Sequence, residues 1–354
     1  MKHGVILSGG LGRRFWPISR AKRPKQLLNL FSKKTLVEDT VDRIYDLVDD
    51  NNIHIVLQPS LAKIMPDSLK ETVNFIEEPG RRNTAPAIGL AAKKIMEEDP
   101  DATLFVFPSD HIIRPREAFV KVLRAAGQIV EEKPSNICLV GIPPSRPEVG
   151  YGYIEINPAE AKKKGEVSFY RVKAFKEKPS RLLAQEFYLS GHYFWNAGIF
   201  VWKAQTLLEL IKEFLPELYK TLEIMSSNPK KFKRKYKSLT ATSIDYGVLE
   251  KVSDRIRVIK GDFFWDDVGS WHSLKRILPR DKNNNVIVGQ GLAIDSYEST
   301  IVNEHGGLIV CFGVSDVVVA RHANVVLVLH KTKIEEMRGL VDTIKEDPKL
   351  KRYL

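Results

Sequence analysis

The chain has few cysteines and no long hydrophobic run, which narrows the classes of protein to which it belongs. Its two cysteines, Cys138 and Cys311, lie in apolar segments, so we expect buried thiols in a reducing compartment and neither disulfides nor a cysteine metal site. No stretch of about 18 uninterrupted apolar residues is present, which argues against a membrane span. The chain begins in a strand pattern with no charged leader, so we expect no secretory signal and a cytoplasmic location.

The chain has fewer acidic than basic residues, and its formal net charge is +11. Much of the positive excess lies in two tracts, residues 162–164 and 230–237. Aromatic residues within the second tract keep RNA binding open as an alternative, but we favour a solvated helix face. An enzyme with polyanionic substrates also accounts for the charge, and we expect no nucleic-acid partner.

A glycine-rich segment follows the first apolar run, residues 4–7, yet it lacks two common nucleotide-binding patterns. It has neither the Gly-Lys-Ser/Thr ending of a Walker loop nor the Gly-x-Gly-x-x-Gly turn of dinucleotide-binding proteins. Gly9, Gly10 and Gly12 allow a ligand to approach the backbone closely, because no Cβ atom is in the way. Cationic side chains follow in the same segment: Arg13, Arg14, Arg20, Lys22, Arg23 and Lys25. Amide, guanidinium and ammonium groups together predict a site for a polyphosphate.

The ordered motifs from residue 9 onward are similar to those of a known family. Residues 9–26 match the loop Gly-Gly-x-Gly-x-Arg-x-Trp-Pro-x-Ser-Arg…Pro-Lys-Gln, which resembles that of sugar-phosphate nucleotidyltransferases, most closely the mannose-1-phosphate guanylyltransferases. Further matching motifs begin at Arg82, Pro108, Gly150, Glu177, Trp195 and Trp265. So many matches in the same order make chance agreement very improbable.

The first part of the chain alternates strand and helix patterns. Strand candidates are residues 53–57, 73–76, 104–107 and 137–140, with helical stretches between them. This alternation predicts an α/β domain with a Rossmann-like mixed, mainly parallel sheet and helices on both faces. We assign this nucleotidyltransferase domain to residues 1–283.

Residues 284–354 have a different sequence pattern. Short Val- and Ile-rich runs recur among Gly, Asn and Asp turns, which predicts a small C-terminal all-β domain. Residues 333–345 are amphipathic and predict a closing helix. The family resemblance implies that the β domain is a short left-handed β-helix, and a homodimer formed through this end is one expectation.

The resemblance implies specific roles for the glycine-rich segment. Backbone amides of residues 9–12 would hold the triphosphate of a nucleotide, Arg14 would contact its β- and γ-phosphates, and Lys25 would reach the α-phosphate. Arg14 and Lys25 are therefore expected to be catalytic. Arg13 has two open interpretations, a second phosphate contact or a surface residue.

Carboxylates at strand ends are the candidate metal ligands. Asp110 ends an apolar strand pattern, and ligands of open α/β sheets gather at the carboxyl ends of the strands. The resemblance implies that Asp110 is catalytic and binds Mg²⁺, which usually takes one or two carboxylates from the protein. By the same resemblance Asp267 is the second ligand, with Asp266 as runner-up and Asp262 as a further possibility.

Recognition of the base is assigned by the same resemblance. The nucleotide-binding set is completed by Leu7, Ser8, Asn83, Thr84, Ala85, Pro86 and Ser109. The Arg-Asn-Thr-Ala-Pro-Ala motif favours guanine over the uridylyl and thymidylyl relatives. Helix capping by Asn83 or Thr84 is the competing interpretation of that motif.

The sugar-phosphate set is Gly152, Glu177, Lys178 and Asn196. Gly152 would let the backbone approach a hexose, while Glu177 would accept hydrogen bonds from its hydroxyls. Lys178 would bind the phosphate of the sugar, and Asn196 would contact a hydroxyl group. An exposed strand end around Glu177 and a buried structural asparagine at Asn196 are the alternatives.

The resemblance as a whole implies transfer of GMP from GTP to mannose 1-phosphate, which yields GDP-mannose and pyrophosphate with the help of Mg²⁺. An ionised phosphate oxygen attacks without a general base, which agrees with the lack of a nucleophile–His–Asp set. Two alternatives stay open: the same reaction with another sugar 1-phosphate or nucleotide, and a catalytically inactive regulatory homologue. The sequence lacks the His/Glu set of an isomerase domain, so we expect no isomerase activity.

Overall fold

The computed structural model describes residues 1–10 and 12–354, so Leu11 in the glycine-rich loop lies outside the described residues. The chain forms two compact units. The first unit comprises residues 1–9, 41–109 and 113–265. The second unit comprises residues 10–40, 110–112 and 266–354.

Eighteen strands and twelve α-helices make up the regular structure of the described residues. The strands are β1 Lys2–Ser8, β2 Ile53–Leu57, β3 Asn74–Glu77, β4 Thr103–Pro108, β5 Ile112–Arg114, β6 Ile137–Ile142, β7 Gly152–Ile156, β8 Lys162–Lys164, β9 Val167–Glu177, β10 Tyr193–Lys203, β11 Ile256–Lys260, β12 Phe264–Asp266, β13 Val286–Val288, β14 Gly291–Ile294, β15 Thr300–Asn303, β16 Ile309–Phe312, β17 Val317–His322 and β18 Val325–His330. The helices are α1 Leu36–Ile44, α2 Pro59–Ala62, α3 Asp67–Thr72, α4 Thr84–Met96, α5 Arg116–Glu132, α6 Arg181–Ser190, α7 Ala204–Phe214, α8 Pro216–Glu223, α9 Pro229–Ser238, α10 Ile244–Gly247, α11 His272–Ile277 and α12 Met337–Glu346.

The first unit is built on a sheet of ten strands in the order β3-β2-β1-β4-β10-β6-β11-β9-β7, with β8 paired to β9. The pairings among β3, β2, β1 and β4 are parallel, as is that of β6 with β11. Strand β10 is antiparallel to β4, β6 and β7, and β9 is antiparallel to β7, β8 and β11. The sheet is mixed as predicted, and β9 and β10 are the two of its ten strands that run against the others. Strands β7, β8 and β9 follow one another without an intervening α-helix, because antiparallel neighbours need no crossover helix.

Helices cover both faces of this sheet, as the alternation of patterns predicted. Successive residues of a strand point to opposite faces. Leu104 and Val106 of β4 belong to a core shared with α4 and α7, whereas Phe107 packs on Phe119 of α5. Phe105 lies close to Gly127 of the same helix α5. The two faces therefore bury different helices.

The second unit contains short, mainly parallel strands in two small sheets. Strands β13, β15 and β17 pair in parallel, β14 pairs in parallel with β16, and β18 returns antiparallel to β17. The all-β character and the closing helix α12 agree with the predictions, while a left-handed β-helix and a homodimer stay predictions. The core of the unit joins these strands and α12 to side chains of the glycine-rich segment, including Phe15 and Ile18. Residues 10–40 share this core and are grouped with the second unit. The predicted domain boundary after residue 283 would place them in the other domain, and that boundary stays a prediction.

Several smaller expectations are also tested by the structure. Cys138 and Cys311 are both buried free thiols. The basic tract at 230–237 is part of α9, whose aromatic side chains Phe232 and Tyr236 are buried, so those aromatics are core residues. The other basic tract is strand β8 and not a helix. No helix within residues 1–10 and 12–354 is both long and apolar enough to cross a membrane.

Candidate functional site

The glycine-rich segment turns sharply at Gly12, which has a φ of 62° in the left-handed region. A Cβ atom there would lie 2.7 Å from Lys25 Cβ and 2.9 Å from Lys25 N, and closer still to the Ser19 hydroxyl. Only glycine fits such a position, because both the dihedral angle and the space exclude a side chain. The turn at Gly12 thereby brings the start of the segment against Lys25.

Lys25 lies between two acidic residues of the second unit. Its Nζ atom is 2.7 Å from Asp110 Oδ2 and donates a hydrogen bond of 2.7 Å to the backbone carbonyl of Asp267. The residue is only 8% exposed, so its charge is held in place by these partners. An ammonium group that is fixed in this way can form charge-assisted hydrogen bonds to a negatively charged ligand.

Burial works against ionisation of Asp110, but the positive charges around it outweigh that effect. The Lys25 ammonium contributes most among them, with smaller contributions from His111 and Arg14, and the pKa of the Asp110 carboxyl lies below its usual value. Asp110 is therefore ionised at neutral pH. An ionised carboxylate is the form that binds a divalent cation.

The other cations of the segment differ in their surroundings. Within residues 1–10 and 12–354, the Arg14 guanidinium makes no hydrogen bond or ion pair. Arg13 donates a hydrogen bond of 2.8 Å to Asp342 of α12 at the protein surface, which favours the surface interpretation for this residue. A Cβ atom at Gly9 or at Gly10 would meet nothing within 4 Å, so the backbone at both positions is open.

The structure distinguishes the three candidates for the second metal ligand. Asp266 is 2% exposed and forms a bidentate pair with Arg276, at 2.5 and 3.1 Å, while its Oδ1 also accepts from Val268 N. Both carboxylate oxygens of Asp266 are therefore used to stabilise the turn. Asp262 is exposed in the first unit, 3.9 Å from Lys260. Asp267, whose Oδ1 accepts from Gly269 N, is the candidate that lies next to Lys25.

The donor set suits a hard divalent cation. Asp110 supplies an ionised carboxylate beside the Lys25 ammonium group, and Asp267, whose backbone carbonyl accepts from the same ammonium group, carries the second carboxyl side chain. Within the described residues no group of three or more His, Cys, Asp and Glu is placed to hold a metal ion. A site of two carboxylates that takes its remaining ligands from water and phosphate oxygens matches the usual coordination of Mg²⁺.

Ser8 has an unpaired hydroxyl at the end of β1 in the first unit. Its Oγ atom is buried and has no hydrogen-bond partner in the described part of the chain. The Leu7 carbonyl beside it accepts a hydrogen bond of 3.2 Å from Ser109 N, which links the ends of β1 and β4. Because buried polar atoms rarely stay unpaired, Ser8 is a candidate contact for a ligand.

The Arg-Asn-Thr-Ala-Pro-Ala motif opens helix α4. Asn83 is the N-cap residue, and its side chain accepts a hydrogen bond of 2.8 Å from Thr84 N. The Thr84 hydroxyl accepts from Ile244 N at 2.9 Å, while Ala85 and Pro86 are buried in the first turn of the helix. Helix capping, the competing interpretation of the motif, therefore accounts for the Oδ1 atom of Asn83. The Nδ2 group of Asn83 takes no part in that capping contact.

The sugar-phosphate candidates of the first unit fall into two groups. Gly152 lies directly opposite Glu177 in the β7–β9 pair, and a Cβ atom at Gly152 would collide with the Glu177 carboxylate. The Lys178 ammonium forms an ion pair with Glu177. The backbone of Lys178 has a φ of 47°, which is uncommon for a residue with a side chain and marks a strained turn.

Asn196 is held at both ends of its carboxamide. Its Oδ1 accepts from Gly198 N at 3.0 Å, and its Nδ2 donates to Asp245 Oδ1 at 2.9 Å. Burial and then the negative charge of Glu177 raise the pKa of the Asp245 carboxyl to about 6. Asp245 therefore joins the sugar-side candidates Asn196 and Glu177 in one electrostatic group.

Asp245, which lies in the first turn of α10 after the N-cap residue Ser243, was not predicted from the sequence. An aspartate in the first turn of a helix normally indicates capping or a dipole contact. No local pattern distinguishes it from such a residue, because its partner Asn196 is 49 positions away. Its signal is tertiary: a buried carboxyl with a perturbed pKa beside another carboxylate.

Strained backbone accompanies these motifs. Asn83, Lys178 and Val268 have positive φ angles of 71°, 47° and 49°. Among the described residues before Asn284, no other non-glycine residue does. For a β-branched residue such as Val268 this conformation is a clear outlier. From Asn284 onward five further non-glycine residues have positive φ angles, so this strain marks the three motifs without being confined to them.

Comparison with known proteins agrees with the geometry. Residues 3–284 match the nucleotidyl transferase family. The alginate biosynthesis protein AlgA of Pseudomonas aeruginosa is 36% identical over 351 residues, which cover 95% of this chain and 71% of that protein. Mannose-1-phosphate guanylyltransferase 2 of Escherichia coli O157:H7 is 33% identical over 356 residues, which cover 96% of this chain and 73% of that protein.

A solved structure supports the same relationship. The crystal structure of a protein described as mannose-1-phosphate geranyltransferase, from Thermus thermophilus, superposes with a TM-score of 0.88 at 33% identity. The match covers 97% of this chain and 99% of that one. From these matches, the chain belongs to the nucleotidyl transferase family, in the group of the mannose-1-phosphate guanylyltransferases.

Proposed function

We propose that this protein transfers GMP from GTP to mannose 1-phosphate, with GDP-mannose and pyrophosphate as products. The observation that carries the proposal is the buried Lys25 ammonium, which lies 2.7 Å from both the Asp110 carboxylate and the Asp267 carbonyl. It is supported by relatives of 33% identity that are named mannose-1-phosphate guanylyltransferases.

The proposed reaction is a direct displacement at phosphorus. A phosphate oxygen of the sugar 1-phosphate forms a bond to the α-phosphorus of GTP, and the bond from that phosphorus to the α–β bridging oxygen breaks. Pyrophosphate leaves with the electron pair. No proton has to be moved, because the attacking oxygen is already ionised, so positioning and electrostatics supply the catalysis.

Repulsion between the two substrates is the main barrier that the protein has to lower. At 4 Å and an effective dielectric constant near 20, each pair of like unit charges costs about 4 kcal/mol. Lys25 and Arg14 would offset this cost, Lys25 at the α-phosphate and Arg14 at the β- and γ-phosphates. The open backbone at Gly9 and Gly10 would add amide hydrogen bonds to the triphosphate.

Asp110 and Asp267 would hold Mg²⁺, the divalent cation that we propose as cofactor. When bound, the cation supplies positive charge to the phosphate oxygens and fixes their orientation. Ionised Asp110 is ready to bind it at neutral pH, since its pKa is lowered. Lys25 keeps the two carboxylate-bearing segments together in the second unit.

In the first unit, Ser8, Asn83 and their neighbours would read the guanine base. The unpaired Ser8 hydroxyl and the Asn83 amide nitrogen are polar groups that a base edge can satisfy. The remaining residues of this set, Leu7, Thr84, Ala85, Pro86 and Ser109, would shape the pocket with backbone groups.

The sugar phosphate would be bound by the other candidates of the first unit. Glu177 would accept from the hexose hydroxyls, and Lys178 would bind the phosphate group. The lack of a Cβ atom at Gly152 leaves room for the Glu177 carboxylate, and Asn196 would contact a hydroxyl from the position that Asp245 imposes. A site that hydrogen-bonds a specific hydroxyl discriminates steeply against an epimer.

Release of pyrophosphate tests the proposal. Purified protein is mixed with GTP, mannose 1-phosphate and Mg²⁺, and glucose 1-phosphate serves as the control for the sugar. Lys25→Ala is expected to lower kcat/KM roughly 1000-fold, because a preorganised charge in the transition state is lost. Lys22→Ala, at an exposed lysine of the same segment, is the matched control and is expected to match the parent.

The outcomes separate the proposal from its alternatives. Release that requires mannose 1-phosphate and disappears in Lys25→Ala supports both the reaction and the role of Lys25. Release with a different sugar 1-phosphate or a different nucleoside triphosphate retains the chemistry and changes the substrate. Folded protein that releases pyrophosphate with no pair would point to the regulatory homologue.

A further inference from the structure

The first unit contains a cavity of about 550 Å³ at the end of α5. One wall is the last turn of α5 and the residues that follow it, with Ile129, Lys133 and Asn136. The other wall is formed by side chains of β8, β9 and β11. In the described part of the chain, the residues that line this basic cavity include none of those proposed above for catalysis, nucleotide binding or sugar binding.

The register of the sheet places a cluster of side chains on the cavity wall. Arg171 of β9 lies directly opposite Arg257 of β11, and Phe169 lies opposite Lys162 of β8. Residues directly opposite each other in antiparallel strands share a face, and so do residues two apart in one strand. Both arginines, the lysine and the aromatic ring therefore face the same space.

Positive charge predominates in the basic cavity. Lys133, Lys162–Lys164, Arg171 and Arg257 line it, against the carboxylates Glu132 and Glu160. Glu132 is already paired with Lys164, and Glu160 accepts a hydrogen bond from the Asn157 side chain at 2.9 Å. In residues 1–10 and 12–354, Lys162, Arg171 and Arg257 form no ion pair with a carboxylate. The cavity therefore keeps an excess of positive charge, although the Arg257 guanidinium donates to the backbone carbonyls of Asp254 and Ile256.

The arginine pair carries a cost that an anion would relieve. Like charges directly opposite in a sheet are destabilising. Burial and then the charge of Arg171 lower the pKa of Arg257. The negative end of the α5 dipole accounts for Lys133 and Lys164 near its C-terminus, but it does not account for two arginines facing each other on the strands.

Asn136 adds a neutral polar group to the cavity wall. It is 7% exposed, and its side chain makes no hydrogen bond to any residue that the structure describes. Its amide can therefore donate to or accept from a molecule in the cavity. Phe169 and Ile129 add apolar surface beside it.

From this geometry we propose that the basic cavity binds a small phosphate-bearing molecule with a planar apolar part, of the nucleoside diphosphate class. Arg171, Arg257 and Lys162 would bind the phosphates, while Phe169 would pack against the planar part and Asn136 would hydrogen-bond to it. The volume is within the roughly 300–1000 Å³ of small-molecule sites. The proposal does not rest on the reaction proposed above.

The test uses ADP as the probe and the full chain with Lys25→Ala, which weakens the other proposed phosphate site. Calorimetry measures the affinity, and hydrogen exchange locates the bound probe. ADP is expected to slow amide exchange in segments 133–136 and 162–171. Arg171→Gln with Arg257→Gln is expected to weaken binding at least about tenfold, because two charge-assisted contacts are lost. Lys230→Gln with Lys231→Gln on α9 removes the same charge elsewhere and is expected to leave the affinity unchanged.

If the variant in which both arginines are replaced fails to fold, two single variants can still test the proposal. Arg171→Gln alone is expected to leave the melting temperature without ADP unchanged or raised, since it removes a like-charge contact. Phe169→Leu is expected to weaken ADP binding while leaving pyrophosphate binding unchanged. The proposal is overturned if ADP protects neither segment from exchange. It is also overturned if the α9 control weakens ADP binding as much as the cavity variants, which would indicate general attraction of polyanions, including RNA, to basic surface.

Discussion

Two sets of groups, one in each unit, differ in how the protein treats their charge. In the second unit, Lys25 is paired with Asp110 and Arg276 with Asp266, and the positive charges around Asp110 lower its pKa against the opposing effect of burial. In the first unit, burial raises the pKa of Glu78 and lowers that of His3. Pairing therefore favours the charged form of Asp110, whereas burial favours the neutral forms of Glu78 and His3.

The charged set serves the proposed chemistry. A metal ion needs a carboxylate and phosphates need positive charge nearby, which Asp110 and Lys25 would supply. Charge is not confined to the second unit, because Lys178 and the basic cavity of the first unit are also proposed to bind phosphates.

The paired character of the second unit is tested most strongly at Asp266. Asp266→Asn removes the carboxylate that pairs with the partly exposed Arg276 and leaves an amide at a buried position, so it is expected to lower the free energy of unfolding by about 3 kcal/mol. Asp267→Asn is the matched control, because an asparagine can still accept from Gly269 N. Urea denaturation measures both. Equal losses in the two variants would contradict the assignment of Asp266 as the structural residue of the turn.

The neutral character of the first unit is tested at His54. Burial and the neighbouring His3 lower the pKa of His54 to about 4 from its ordinary 6.5. The unfolded chain therefore binds more protons between these values, so stability is full above pH 6.5 and declines as the pH falls toward 4. The decline due to this group amounts to about 3 kcal/mol at most.

His54→Gln is expected to flatten that decline between pH 6.5 and 4, as measured by urea denaturation at several pH values. His192→Gln, at an exposed histidine, is expected to keep the slope of the parent. A parent protein whose stability does not change over this pH range would contradict the neutral state of the buried histidine.

The raised pKa of Asp245 predicts a pH-dependent contribution to sugar binding. Asp245 is ionised above about pH 6 and then orients Asn196 as a carboxylate acceptor. The KM of Asp245→Asn for mannose 1-phosphate, divided by that of the parent, is expected to rise from about one at pH 5 to roughly ten at pH 8. The ratio is the informative quantity, because the phosphate of the sugar itself titrates near pH 6. A ratio that is flat with pH would mean that Asp245 has only a structural role.

The smallest effect is expected at Arg13, whose partner Asp342 is exposed. Exposed ion pairs contribute about 0–1 kcal/mol, so Arg13→Ala is expected to change stability little. Its KM for GTP is expected to stay within about threefold of the parent if the surface interpretation is correct. A tenfold increase in KM would instead return Arg13 to the phosphate contacts.

Local chemistry made part of the site predictable. A phosphate loop needs glycines and cations close together in sequence, which is why Gly12, Arg14 and Lys25 are recognisable without a structure. The N-terminal turn of α4 was likewise visible in its motif, although the capping role of Asn83 and a base contact are not distinguished by residue type.

Other features could not be predicted from local sequence patterns. The antiparallel strand β10, placed between β4 and β6, has the same apolar residues that a parallel strand would have, so its direction was not predicted. Asp245 has an ordinary position in a helix, and only its contact with Asn196 sets it apart. The basic cavity joins α5 to three strands from distant parts of the chain.

The sequence by itself determined the alternating elements, the buried cysteines, the closing helix and the residues of the phosphate loop, because these depend on periodicity and on neighbouring residue types. The tertiary structure alone decided which of Asp266 and Asp267 is held by Arg276, how the second half of the sheet runs, and which carboxyls have a raised pKa. Those properties depend on distances between residues far apart in the chain, since charge interactions and burial act through space.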